Sequence, residues 1–252
     1  MEVVKYSDFD VQSFDFEMPQ VNQKRKNMTN ILFPTYKSER CPMIQFPTIE
    51  LSMYGVPTRC EFYKDDSQRQ FIKLPLNTEN IEVEALVKIL NTIDKKFNTK
   101  EAKEKIFSKK NVKCTYQQLV RHPRGEDGKP LADKLPFMKI KFATKYPTNE
   151  VTVGVCVQRE NGPRELVETY TSDDVAKYVK YQSKVKCIVV PSKLWIIPPT
   201  GNTDTTYGIS FKLQKVLVEL PPEKPSPQLL LKSTDGFIES GDEEELEVEE
   251  IC

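Results

Sequence analysis

The chain of 252 residues has a single histidine, His122, and a single tryptophan, Trp195. Its six cysteines stand alone at 41, 60, 114, 156, 187 and 252, with no C-x-x-C spacing. That argues against a zinc site and fits reduced thiols in a cytoplasmic or nuclear compartment. No apolar run approaches the ~18 residues of a membrane span. The start, Met1-Glu2-Val3-Val4-Lys5, lacks the basic-then-apolar pattern of a secretory signal. Glycine-rich phosphate loops, nucleophile elbows and His-rich clusters are missing, which removes the commonest enzyme classes. No helix-turn-helix, zinc-finger or basic-zipper pattern appears, so duplex readout is disfavoured.

What is present is charge, unevenly placed. The total is 37 bases against 37 acids. Residues 233–252 carry nine acids and no base, leaving 28 acids against all 37 bases in 1–232. A basic body followed by an acidic end suggests an anionic ligand and a competing tail. Before that tail, residues 221–228 read PPEKPSPQ, a stiff linker. The expected division is an N-terminal arm at 1–30, a binding domain at 31–220, and a Pro-rich linker with a disordered acidic tail at 221–252.

The body reads as mainly β. Thr48–Tyr54, Thr58–Lys64, Arg69–Pro75, a segment over 112–122, Phe137–Phe142 and Val151–Val157 have strand character. The last two are expected to pair antiparallel. Phe14, Phe16 and Met18 alternate, as a peripheral strand would. Asn80 caps a helix with Ile81, Ala85, Leu86, Ile89, Leu90 and Ile93 at helical spacing. Eight lysines follow between 95 and 113, and Thr171 or Ser172 opens a short helix to Tyr181.

The most informative stretch is Gln182–Leu220. Lys184 and Lys186 share one strand face and Val185 and Cys187 the other. After the turn Gly201-Asn202-Thr203-Asp204, Ile209, Phe211 and Leu213 alternate with Ser210, Lys212 and Gln214. Lysines on the wet face of a curved sheet attract phosphate, and the Trp195 ring beside Lys193 stacks on any base. Lys139, Lys141, Lys145 and Tyr146 are a second group of contact candidates. Tyr116 is a candidate stacking ring, and Arg121 and Arg124 flank a charged loop suited to phosphates.

The run K-V-K-x-x-V-V-P-S-K-x-W, then G-I-S-F-K-L-Q-K-V-L-V-E-L, resembles the last two strands of single-stranded-DNA-binding proteins of short-tailed coliphages. Similar proteins occur in nucleocytoplasmic large DNA viruses. Arg69–Pro75 also resembles the first barrel strand of the phage family, leading into a helix. The resemblance implies an OB-fold-like antiparallel Greek-key barrel with one or two helices. It puts Lys184, Lys186, Lys193, Trp195, Lys212 and Gln214 at matching positions. It further implies sequence-nonspecific single-stranded DNA as partner, in viral DNA replication, recombination or repair, in the host cytoplasm or nucleus. No cofactor, metal or catalytic group is implied. Family tails contact DNA polymerase and helicase-primase and end in an aromatic residue; this chain ends Glu250-Ile251-Cys252. Homo-oligomerisation stays open. Competing readings are a metal-dependent nuclease using Asp65-Asp66 and Asp173-Asp174, a protein-only scaffold, or an RNA-binding protein.

Overall fold

The computed structural model describes residues 2–17, 31–108, 112–125, 127–159, 162–199, 201 and 204–221. Lys24-Arg25-Lys26, Met18, Lys109, Lys110, part of the 201–204 turn, and the linker and tail from 222 onward lie outside the described residues.

In chain order the strands are β1 Val3–Lys5, β2 Phe14–Phe16, β3 Ile31–Leu32, β4 Pro34–Tyr36, β5 Glu39–Arg40, β6 Met43–Glu50 and β7 Phe71–Pro75. Helices α1 Ile81–Phe97 and α2 Lys100–Phe107 follow. Then come β8 Cys114–Gln117, β9 Val120–Arg121, β10 Phe137–Phe142, β11 Gly154–Gln158, β12 Arg164–Val167, α3 Ser172–Tyr178, β13 Lys184–Ile197 and β14 Thr205–Glu219. The protein is mainly β, as expected, and the described residues include three α-helices.

The long hairpin β13–β14 is the spine. One edge of β13 takes β6 over 184–189 and β3 at 194–195. The far edge of β14 takes β8 at 205–208, β10 at 212–213 and β11 at 215–219. The main path, β1-β6-β13-β14-β10-β7, does not close on itself. The pairings of β14 with β8, β10 and β11 are parallel, as is β1 with β6, so the sheet is mixed rather than purely antiparallel.

The expected β10–β11 pair does not form. The two strands lie end to end along β14 because Ala143 and Thr152 are joined by a backbone bond (Thr152 N to Ala143 O, 2.8 Å) as the chain turns. Thr58–Lys64 is not a strand either. The loop holds one isolated bridge, Cys60 to Tyr63, and its shape is set by Arg69. That guanidinium is wholly buried, donates to Pro57 O at 3.2 Å and pairs with Asp66 at 3.1 Å and with Asp173. Asp66 in turn accepts from Ser172 N at the start of α3. A buried cation needs such compensation, and the loop and α3 supply it together.

Helix α1 forms where its sequence signals it. Asn80 Oδ1 accepts from Glu82 N and Val83 N, Glu82 and Glu84 sit in the first turn, and Lys95 and Lys96 in the last. Val83, Leu86, Leu90, Ile93 and Phe97 make the buried stripe; Ile81, expected on it, is exposed. The segment expected as an arm is docked over residues 2–17. Phe9, Val11, Phe14 and Phe16 are buried, each favouring the docked state by about 1.5–3 kcal/mol. Lys96 Nζ donates to the carbonyls of Val11, Gln12 and Phe14 at 3.0, 2.8 and 2.6 Å. Lys105 pairs with Asp15 at 2.7 Å. Two lysines of the basic 95–113 run therefore fasten the N-terminal segment.

Candidate nucleic-acid interface

The candidate site lies on the outward face of β13, β14 and β10. Along β13, Val185, Cys187, Val189 and Pro191 point to the core, then Leu194 and Ile196. The switch from odd to even follows from the register shift between Pro191 and Lys193. A bulge adds one residue, so Lys193, Trp195 and Ile197 continue the outward face that Ile188 and Val190 began. Without the extra residue, Lys193 and Trp195 would face the core.

On this face lies a cavity of about 330 Å³, lined by Arg121, Lys139, Lys141, Lys193, Trp195 and Gln117, with Ile31, Ile197, Ile209, Ser210 and Phe211. Four cations line it and no carboxylate does. Burial, then the neighbouring Arg121, Lys141 and Lys73, push the Lys139 ammonium down to about 8. Its Nζ sits 3.7 Å from the Phe71 ring centroid. Lys141 is also lowered, first by lost hydration within the groove and then by Lys193, Lys212 and Arg121. Lys141 as a whole is exposed, so the crowding of like charges is the part that bears on ligands. Arg121 Nε is buried with no hydrogen-bond partner among the described residues. Like charges held together with no carboxylate in the cavity lining are a standing attraction for an anion.

A second cavity, about 620 Å³, adjoins the first. Lys212 and Gln214 line it with Val190, Pro191 and Ser192, immediately before Lys193. Lys212 is the cross-strand partner of Lys141, so each cavity holds one lysine of this pair.

Trp195 is fixed from behind. It stands opposite Gly208 in the hairpin, and a side-chain carbon on Gly208 would come within 2.8 Å of the indole Cζ2. The glycine lets the ring lie flat along the sheet. Asp94 of α1 anchors the β8–β9 segment: it accepts from Tyr116 Oη at 2.8 Å and from Leu119 N at 2.9 Å. Burial raises the Asp94 carboxyl to about 6, against the lowering effect of these bonds and of Arg121. The segment so held carries Arg121 to the cavity wall.

Of the sequence candidates, Lys139, Lys141, Lys193, Trp195 and Arg121 line the first cavity, and Lys212 and Gln214 the second. Tyr116 is not a stacking ring. It is buried, hydrogen-bonded to Asp94 and packed on Tyr207 at 5.0 Å. Lys184 lies at the far end of β13 between its ladder partners Glu50 and Glu219, and Lys186 lies beside Thr48 and Leu217; neither lines either of these two cavities. Arg124 donates to Gly128 O at 3.0 Å and closes its own loop. Lys145 and Tyr146 are exposed in the turn beyond β10, outside both linings. Phe33 and Arg40 of the second cavity were missed: Phe33 follows a two-residue strand too short for alternation to be read.

Asp66 and Asp173, from the two carboxylate pairs that suggested a nuclease, converge on Arg69. The guanidinium is the ion-pair partner of both carboxylates. Among the described residues no cluster of three His, Cys, Asp or Glu side chains could hold a metal ion, and no helix is long and apolar enough to cross a membrane.

No family model matches the chain. An uncharacterized protein of Acanthamoeba polyphaga mimivirus is 24% identical over 243 residues, covering 85% of this chain; the chain spans 59% of that protein's length. Among solved structures, the chain is similar to the single-stranded DNA-binding protein from bacteriophage Enc34 in complex with ssDNA, with TM-score 0.40 and 15% identity, over 83% of this chain and 97% of that one. It is likewise similar to gp2.5, a single-stranded DNA binding protein encoded by bacteriophage T7, with TM-score 0.36 and 12% identity, over 79% of this chain and 100% of that one.

Proposed function

We propose that the protein binds single-stranded DNA without sequence selection, along the face that carries Trp195. The observation that carries this reading is the grouping of Arg121, Lys139, Lys141 and Lys193 around one indole, with no carboxylate in the cavity wall. The cations attract backbone phosphates and gain affinity by counterion release. The ring stacks on a base, which requires a base whose flat face is free; a duplex hides it. Neither interaction distinguishes one base from another. The phage proteins described as single-stranded DNA-binding agree with this ligand class.

The role is a binding one, without catalysis, in replication, recombination or repair of viral DNA. The acidic segment 233–252 competes with DNA for the basic face and, when displaced, recruits basic replication partners such as a polymerase or helicase-primase. The charge separation in the sequence supports this.

The test is Trp195 fluorescence during titration with oligo(dT), duplex DNA and RNA across a salt series. Quenching by oligo(dT) at lower concentration than by duplex is expected; an unchanged emission with all three sinks the reading. Removing 233–252 is expected to tighten binding at low salt. Labelled DNA with Mg²⁺ is expected to stay intact, and metal-dependent cleavage would favour the nuclease.

A further inference from the structure

We infer that the second cavity is a base-binding subsite on the same strand path, with Phe33 as its stacking ring. The inference rests on the single-stranded reading above. Phe33 is 57% exposed although its neighbour Leu32 is 3% exposed. Leu32 pairs with Leu194 and Ile31 with Trp195, and Phe33 follows directly after this two-residue strand with its ring exposed where Leu32 is buried. Ile31 lines the Trp195 cavity and Phe33 the adjoining one. Glu17 N donates to Phe33 O at 2.9 Å, which ties the backbone down and presents the ring without a further ordering cost.

The charge pattern decides what the cavity holds. Arg40 and Lys212 line it, but so do Glu17 and Glu39, so the wall is balanced where the first cavity is wholly cationic. A balanced wall has little net pull on a phosphate. It suits a neutral, flat group with both donors and acceptors, which describes a nucleobase. The phosphate joining the two bases falls at the shared boundary, where Lys141 and Lys212 are paired across the sheet.

The test measures affinity of the full chain for oligo(dT) of about two to twelve nucleotides, a series that starts below the ~4–16 nucleotides one such fold covers and runs into that range. Wild type, Phe33→Ala, Phe33→Leu and Phe33→Tyr are compared, with Trp195 quenching as internal reporter. For oligonucleotides long enough to span both cavities, Phe33→Ala and Phe33→Leu are expected to weaken binding about five- to a hundredfold. Phe33→Tyr should match wild type, and the shortest ligands should bind all four equally with full quenching. Equal affinity of Phe33→Leu and wild type at every length, with quenching intact, overturns the subsite and leaves the proposed function standing. Loss of quenching in wild type itself overturns both.

Discussion

Trp195 and Gly208 face each other across the β13–β14 hairpin, and the indole occupies the space a side chain at 208 would need. Gly208→Ala is therefore expected to force the ring outward or strain the hairpin, at about 1–3 kcal/mol. The check is the Trp195 emission maximum together with the denaturant midpoint. A red-shifted maximum and a lowered midpoint are expected; unchanged values of both contradict the packing.

Lys141 and Lys193 belong to the cation group, whereas Lys184 sits between Glu50 and Glu219 on neighbouring strands. Lys141→Gln and Lys193→Gln should each reduce the slope of log affinity against log salt by about 0.7, the value for one phosphate contact on a single strand. Lys184→Gln should leave the slope unchanged. Equal effects from all three would mean the attraction is diffuse rather than local.

Lys139 titrates near 8, well below the ordinary lysine range, because of burial and its cationic neighbours. Phosphate stabilises the protonated form, so affinity for single-stranded DNA should fall as pH rises through about 8. Lys139→Met should flatten that fall. Stability runs the other way: between about 8 and 10.5 the unfolded chain holds a proton at this site that the folded chain has lost, so raising pH through that window favours folding. Affinity and melting temperature measured across the same pH series check the opposite signs.

Asp94 has the reverse linkage. Its folded value of about 6 lies above the ordinary 3.8, so the folded chain holds the extra proton between those values. Its contribution to stability is complete below 3.8 and is lost as pH rises through about 6. Asp94→Asn should remove this slope from the stability profile. Asp94→Ala leaves Tyr116 Oη and Leu119 N without their acceptor and should cost about 1–3 kcal/mol for each. Because the same segment carries Arg121, weaker DNA binding should accompany the loss. Calorimetry from pH 4 to about 8 and anisotropy at neutral pH check both parts.

Much of the local structure was legible from residue order. Asn80 announced the α1 cap, Thr171 or Ser172 the α3 cap, of which Thr171 is the one, and the alternation from Lys184 and from Ile209 parts of the two long strands. Lys139 and Lys141 follow a period-2 signature; Lys193 and Trp195 break phase with Lys184 and Lys186, so the cation beside the ring and the family resemblance, not alternation, singled them out. Arg121 was visible only as charge near a loop. Tyr116 misled, since a tyrosine on a strand reads the same whether it faces solvent or Asp94.

The sequence by itself determined the amphipathic faces, the caps and the separation of a basic body from an acidic end, because these depend on neighbours a few positions away. Tertiary structure alone decided that β10 and β11 run along β14 rather than along each other, and that Arg69 gathers Asp66 and Asp173. It also decided that one extra residue near Ser192 returns Lys193 and Trp195 to the outer face, where Lys141 and Lys212 meet. Such outcomes depend on which distant segments share an edge or a buried charge, and no local period carries that information.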